Sequence, residues 1–242
     1  MSEVHVNDNL LLVCGESSTG KSACLRHLDD VIYLNCESGK KLPFKPKNYK
    51  QFVITDPYQV YEGFNWAEEQ PQYSTIVVDG LNFLMDMFES VHVLPSSNTM
   101  KAWGDYSQFF KNLMQQYVSK SSKNVIFTAH TKTALNEAAM AMESKVPIKG
   151  ALANQGIESY FSCVVSTKKV KLKDLENFSN QLLHITERDQ AVGYKHVFQT
   201  NITAETVHER MRSPMGLFED AETYIDNDVS LVLKRLREYY AD

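Results

Sequence analysis

The segment that most limits what this chain can fold into is residues 10–22, LLLVCGESSTGKS. An apolar run suited to burial on both faces stops at Gly15, and small or polar residues follow. Gly20-Lys21-Ser22 then opens a stretch, KSACLRHLDD, that carries Ala23, Leu25 and Leu28 at helical spacing. Two glycines bracketing a strand-to-helix turn expose a row of backbone N–H groups at one point, with a cation beside them. This is the pattern of a phosphate-binding loop, built from Gly15, Glu16, Ser17, Ser18, Thr19, Gly20, Lys21, Ser22 and Ala23. In such a loop Lys21 is expected to reach the β- and γ-phosphates of ATP, and the Ser22 hydroxyl to ligate Mg²⁺.

Strand-like runs recur down the chain: VIYLNC (31–36), QFVIT (51–55), STIVVDG (74–80), NVIFTAH (124–130) and YFSCVVST (160–167). Over 105–118 the apolar residues at 109, 110, 113, 114, 117 and 118 follow a helical period. Buried strands alternating with helices predict an α/β fold, a mostly parallel twisted sheet flanked by helices. After about residue 167 the pattern changes to strands joined by turns, an antiparallel C-terminal extension, and DVSLVLKRLREYY reads as a closing amphipathic helix. No repeat, low-complexity tract or linker interrupts the sequence, so 1–242 reads as one domain, with its core over about 8–167 and the extension over about 168–242.

Composition narrows the class. The balance of 43% hydrophobic and 23% charged residues is that of a globular protein, and no run approaches a membrane span. The N-terminal MSEVHVNDN lacks the basic and apolar parts of a secretory signal, which leads to the expectation of a cytoplasmic protein. Cys14, Cys24, Cys36 and Cys163 show no CxxC spacing and are expected reduced and buried. A net charge of −5 excludes a chain coated in positive potential, so any nucleic-acid contact needs a local basic patch.

A phosphate loop calls for an acid at the end of a hydrophobic strand to hold the Mg²⁺ shell, and STIVVDG supplies Asp79. The bland alternative is a strand-end Asp that caps the next helix. Hydrolysis also needs a group that orients or deprotonates water near the γ-phosphate. Glu37, just past the second strand, fits that task if its strand lies beside the loop strand. His130, closing NVIFTAH, is the matching polar residue at the carboxyl edge of the sheet, where ligands of such folds bind. The alternatives are a solvated Glu in a turn and a structural His.

The order phosphate loop, strand with Glu, strand with Asp, strand with His resembles the RecA-like ATPase core, in which the catalytic glutamate closes the strand after the first helix. Gly80 follows Asp79, so the acid is not next to the metal-binding Asp. More narrowly, GESSTGKS, NCESG, IVVDGLNFL, KAWGDYSQFFKNL, NVIFTAH and ERMRSPMGLF resemble small phage-encoded RecA-like ATPases, some of which act in single-strand annealing or recombination. The resemblance implies an ATPase that binds ATP and Mg²⁺, forms a homo-oligomer (ring or short filament), meets single-stranded DNA and works with a single-strand-binding or other replication protein in the cytoplasm of a host cell. With only about nine residues before the first strand and no separate C-terminal domain, long filaments and strand exchange are not expected.

By the same resemblance, two loops would line a DNA path. They are 91–104, with Lys101 and Trp103, and 131–150, with Lys132, Lys145 and Lys149. Met140 and Met142 either wedge between bases or pack against the core. Two lysine clusters, KKLPFKPKNYK and KKVKLK, read either as phosphate-contacting patches or as exposed edge strands guarded against aggregation. In the second, Lys169, Lys171 and Lys173 would share one strand face. Arg210 and Arg212 are the candidates for a cation reaching a neighbour's γ-phosphate. Two readings compete with a DNA-dependent ATPase: a protein-directed motor or helicase-loading ATPase, and a nucleotide-switched assembly module with little turnover. A small-molecule kinase is weaker, because no Arg-rich lid follows the loop.

Overall fold

The computed structural model describes residues 7–137 and 140–241. Ten strands are described: β1 (Leu10–Gly15), β2 (Val31–Asn35), β3 (Tyr49–Val53), β4 (Thr75–Asp79), β5 (Asn124–His130), β6 (Lys132–Asn136), β7 (Ala141–Lys145), β8 (Cys163–Lys171), β9 (Tyr194–Gln199) and β10 (Tyr224–Asp226). The helices are α1 (Gln59–Glu68), α2 (Leu81–Phe88), α3 (Thr99–Asn112), α4 (Leu152–Gln155), α5 (Leu172–Leu175), α6 (Glu187–Val192) and α7 (Val229–Tyr240). Eight strands form one sheet in the order β10-β9-β8-β1-β5-β4-β2-β3, and β6 and β7 form a separate hairpin. Every pairing from β8 across to β3 is parallel, while β8-β9 and β9-β10 are antiparallel. The α/β architecture and its antiparallel C-terminal strands are therefore as the sequence predicts.

Strands β1, β2 and β4 are buried at every position, which explains their unbroken apolar runs. Their alternate side chains feed two cores. On one face Leu10, Leu12, Leu34, Val78 and Phe127 meet Phe64 of α1, Leu84 and Phe88 of α2 and Phe110 of α3. On the other, Leu11, Val13, Val77, Ile126 and Val165 meet Leu25 and the α7 stripe Val229, Val232, Leu233 and Leu236. That stripe has i, i+3, i+4, i+7 spacing, and Asp228 caps its first turn by accepting from the Ser230 N–H.

Several expectations need correcting. The stretch KSACLRHLDD makes only one short tight helical turn, Ser22–Leu25. Asp30 then adopts a left-handed φ of 58° and turns the chain into β2, so there is no room for a full helix. β2 lies between β4 and β3, separated from β1 by β5 and β4, so its strand is not beside the loop strand. The 105–118 helix starts earlier, at Thr99, and widens over Leu113–Val118. Much of the expected 91–104 loop is thus helical, and 131–150 is largely the β6–β7 hairpin, with residues 138–139 outside the described part. β8 is no edge strand, and Lys173 sits on α5, off the strand that carries Lys169 and Lys171. All four cysteines are free and buried, and burial pushes their thiols up. Among the described residues no helix is long and apolar enough to cross a membrane.

Candidate active site

Parallel pairing brings the carboxyl ends of β1, β4 and β5, and the residues just past β2, to one edge of the sheet. Asn35 stands in register with Asp79, Asp79 with Thr128, and Gly15 with His130. The two-residue period then puts Tyr33, Asp79, Thr128 and His130 on the same face as Val77 and Ile126. That is the face carrying the turn Ser22–Leu25, so the loop residue Ser22 arrives directly above Asp79.

The loop 15–22 is held tightly. A Cβ at Gly15 would lie 2.1 Å from Thr167 Oγ1, and one at Gly20 (φ +110°) would lie 2.4 Å from Asn227 Nδ2. Only glycine leaves both approaches open. The Thr19 hydroxyl donates to the Glu16 carbonyl (2.8 Å) and lies 2.5 Å from the Thr167 hydroxyl, which itself donates to the Cys14 carbonyl (3.1 Å). His196 Nδ1 lies 2.8 Å from the Thr19 carbonyl. Lys21 is 7% exposed, and its ammonium donates to the carbonyls of Gly15 (3.0 Å) and Glu16 (2.6 Å). Burial lowers its pKa from the ordinary lysine value. The lysine thus folds back over the loop with its charge inside the cradle.

Asp79, 2% exposed, accepts three hydroxyl bonds. Ser22 Oγ donates to Oδ2 at 3.1 Å, Tyr33 OH donates to the same oxygen at 2.5 Å, and Thr128 Oγ1 donates to Oδ1. The next peptide, Asp79-Gly80, is cis. A hydroxyl and a carboxylate converging beside a phosphate loop are hard oxygen donors, a set that fits Mg²⁺ sharing its shell with phosphate and water. Among the described residues no group of three or more His, Cys, Asp and Glu could hold a metal.

Across this edge Glu37 meets His130 despite the intervening strand β4, because Glu37 lies just past β2 and His130 closes β5. Glu37 Oε1 lies 3.5 Å from His130 Nε2, and Lys40 Nζ donates to Oε2 at 2.8 Å. The Glu37 side chain is 7% exposed, and its neighbours, His130 first and Lys40 next, hold its carboxyl down at about 2. The His130 N–H donates to Asn82 Oδ1 at 2.6 Å, which locks the end of β5 to the start of α2.

A cleft of ≈380 Å³ opens between the loop (Gly15, Glu16, Ser17 and Thr19), the hairpin (Thr133, Ser144) and the middle of β8 (Ser166 to Lys169). Sequence reasoning missed Tyr33, Asn82, Thr128, Thr167 and His196, and it placed Lys40 in a lysine cluster without its contact to Glu37. Only Thr128 carried a local signal, two residues before His130 on the same strand face.

The remaining candidates are placed elsewhere. Trp103 is half-buried against the core, with its ring edge-on to Tyr106. Lys101 and Lys132 are exposed, Lys145 pairs with Glu143, and Lys149 pairs with Glu89. Met140 and Met142 project at 82% and 56% exposure, away from the core. Arg210 is engaged within its own chain, by Glu143 (2.7 Å) and Glu158 (3.7 Å), and Arg212 is exposed, its backbone bridged to Val164 and its guanidinium 3.5 Å from the Ser159 carbonyl.

No curated protein matches the chain. The family described as an AAA domain matches residues 7–203, a span that holds the loop, Asp79, Glu37 and His130. With that match covering most of its length, the chain belongs to the AAA domain family of P-loop ATPase-type proteins.

Proposed function

We propose that this protein is a Mg²⁺-dependent ATPase that oligomerises and acts on single-stranded DNA in annealing, recombination or replication of the phage type. The observation that carries the catalytic part is the meeting of Ser22 and Asp79, 3.1 Å apart, with Glu37 and His130 paired across the same sheet edge. In this reading the backbone of 15–22 and the buried Lys21 bind the phosphates, and the loop's hydrogen bonds to Thr167 and His196 keep its N–H groups oriented. Ser22 and Asp79 hold Mg²⁺, which when bound neutralises charge on the phosphate oxygens. Glu37 orients the attacking water, while His130 holds the carboxylate and senses the γ-phosphate. DNA as substrate, the oligomer and a phage-type role rest on the resemblance of GESSTGKS, NCESG and ERMRSPMGLF to the phage group.

One observation favours a protein-directed motor instead. The hairpin bears exposed Leu135, Met140 and Met142, apolar side chains better suited to a protein surface than to a phosphate backbone. Steady-state ATP hydrolysis with and without single-stranded DNA, with Lys21→Ala as the blank, separates the readings. Turnover stimulated by single strands supports the DNA role, turnover indifferent to them supports the motor, and binding without turnover supports a switch.

A further inference from the structure

Immediately after Glu37 the chain runs through Gly39–Gln51, GKKLPFKPKNYKQ, with five lysines and no acid. Its apolar side chains turn inward: Leu42, Phe44 and Tyr49 pack on the second core, with Phe44 and Tyr49 edge to face. Lys41, Lys45, Lys47 and Lys50 point the other way and are exposed. Among the described residues none of these four enters an ion pair. Pro43 and Pro46 fix their own φ and hold Leu42 and Lys45 near extended backbone, so the arm is stiff before anything binds. Acids adjoin it at two places: Glu37 accepts from Lys40 at its start, and at its base Asp30 accepts from the Asn48 amide while Asp29 adjoins Tyr49.

We infer that residues 40–50 form a docking surface for the phosphate backbone of single-stranded nucleic acid, deepening the proposed DNA role. The other basic features are partly neutralised. Lys145, Lys149 and Lys168 are paired with glutamates, and KKVKLK runs straight into Asp174 and Glu176. On a chain of net charge −5, a row of lysines of which, among the described residues, Lys41, Lys45, Lys47 and Lys50 face no acid partner is complementary to a polyanion, with Lys50 resting over the Phe52 ring. An anionic membrane is the poorer partner, because the arm's apolar side chains are already buried and have nothing to insert. The arm also touches the catalytic edge, because its first lysine, Lys40, is the residue that clamps Glu37. A backbone phosphate that draws Lys40 away would leave Glu37 held by His130 alone, linking occupancy of the arm to turnover. That link rests on the role proposed for Glu37, whereas docking itself does not.

The test is fluorescence anisotropy of a labelled oligothymidylate across a salt series, comparing the wild type with K41Q/K45Q/K47Q/K50Q. The expected result is affinity weakened about ten-fold or more, and a log–log salt slope shallower by about 0.7 for each phosphate the variant leaves unneutralised. Thermal unfolding and DNA-free ATP turnover should stay unchanged, and DNA should no longer stimulate turnover. The pairs K41Q/K45Q and K47Q/K50Q should each give part of the effect, which keeps the result readable if the quadruple variant folds poorly. Wild-type affinity and slope in every variant would overturn the docking surface while leaving DNA action elsewhere open. No binding by the wild type would overturn both the surface and the DNA role. A loss confined to phosphatidylserine vesicles would assign the arm to lipid and overturn it as well. The ATPase reading fails separately, by absence of Lys21-dependent hydrolysis.

Discussion

Three hydroxyl donors converge on the Asp79 carboxylate, and only one of them, Ser22, lies in the phosphate loop. Tyr33 and Thr128 hold Asp79 in one orientation, so Tyr33→Phe should leave the fold intact while raising the Mg²⁺ needed for half-maximal turnover by about 10–100-fold, checked by metal titration. Glu37→Gln should keep ATP binding and lower kcat by roughly 10²-fold or more, seen by comparing nucleotide binding with steady-state hydrolysis. Unchanged turnover would remove Glu37 from the mechanism. The carboxyl of Glu37 also ties the site to pH. Its neighbours lower it from an ordinary 4.5 to about 2, so the folded state favours the ionised form. Its contribution to stability is therefore complete above the ordinary carboxylate range and is lost as pH falls toward about 2. Acid unfolding of the wild type should show a dependence in that window that Glu37→Gln lacks.

At the scale of elements, the loop's rigidity is supplied by the C-terminal extension. Thr167 on β8 and His196 on β9 both reach Thr19, and Asn227, just before α7, packs against Gly20. Thr167→Val removes the hydroxyl in nearly the same volume and should raise KM for ATP more than it lowers kcat, measured by steady-state kinetics. The single turn Ser22–Leu25 replaces a full helix, so α7 closes the core that a longer helix would have covered. Leu236 is fully buried on its inner stripe, and Leu236→Ala should cost about 2–5 kcal/mol in denaturant unfolding. Little of this support was legible beforehand. A strand such as YKHVFQ announces itself by alternation, but nothing local says that His196 will face a loop 177 residues away.

For the whole molecule, the two arginines part company. Arg210 bridges Glu143 of the hairpin and the buried Glu158, so Arg210→Ala should lower stability by about 2 kcal/mol and loosen the hairpin. Arg212 is exposed, and although its backbone is bridged to Val164 its guanidinium has one long contact, to the Ser159 carbonyl. If it completes a neighbour's site, Arg212→Ala should lower ATP turnover without moving Tm, and the loss should be relieved in mixtures with a Lys21→Ala chain that still supplies Arg212. An unchanged rate would exclude it.

The strands and the loop are legible in the chain read alone. Continuous apolar runs have few ways to be buried except as central strands of a covered sheet, and Gly15-x4-Gly20-Lys21-Ser22 has a local backbone consequence that needs no distant partner. The same reading places Asp79, Glu37 and His130 at strand ends, since each closes or follows its own apolar run. Strand order was left to the folded arrangement, which set β5 and β4 between β1 and β2 and still let Glu37 and His130 meet. Partnership was decided there too. Whether Lys40 clamps a carboxylate, Arg210 stays within its own chain or Trp103 is tucked against the core depends on charges and surfaces brought from far along the chain. Such contacts are made by packing, and no short window of sequence contains both of their partners.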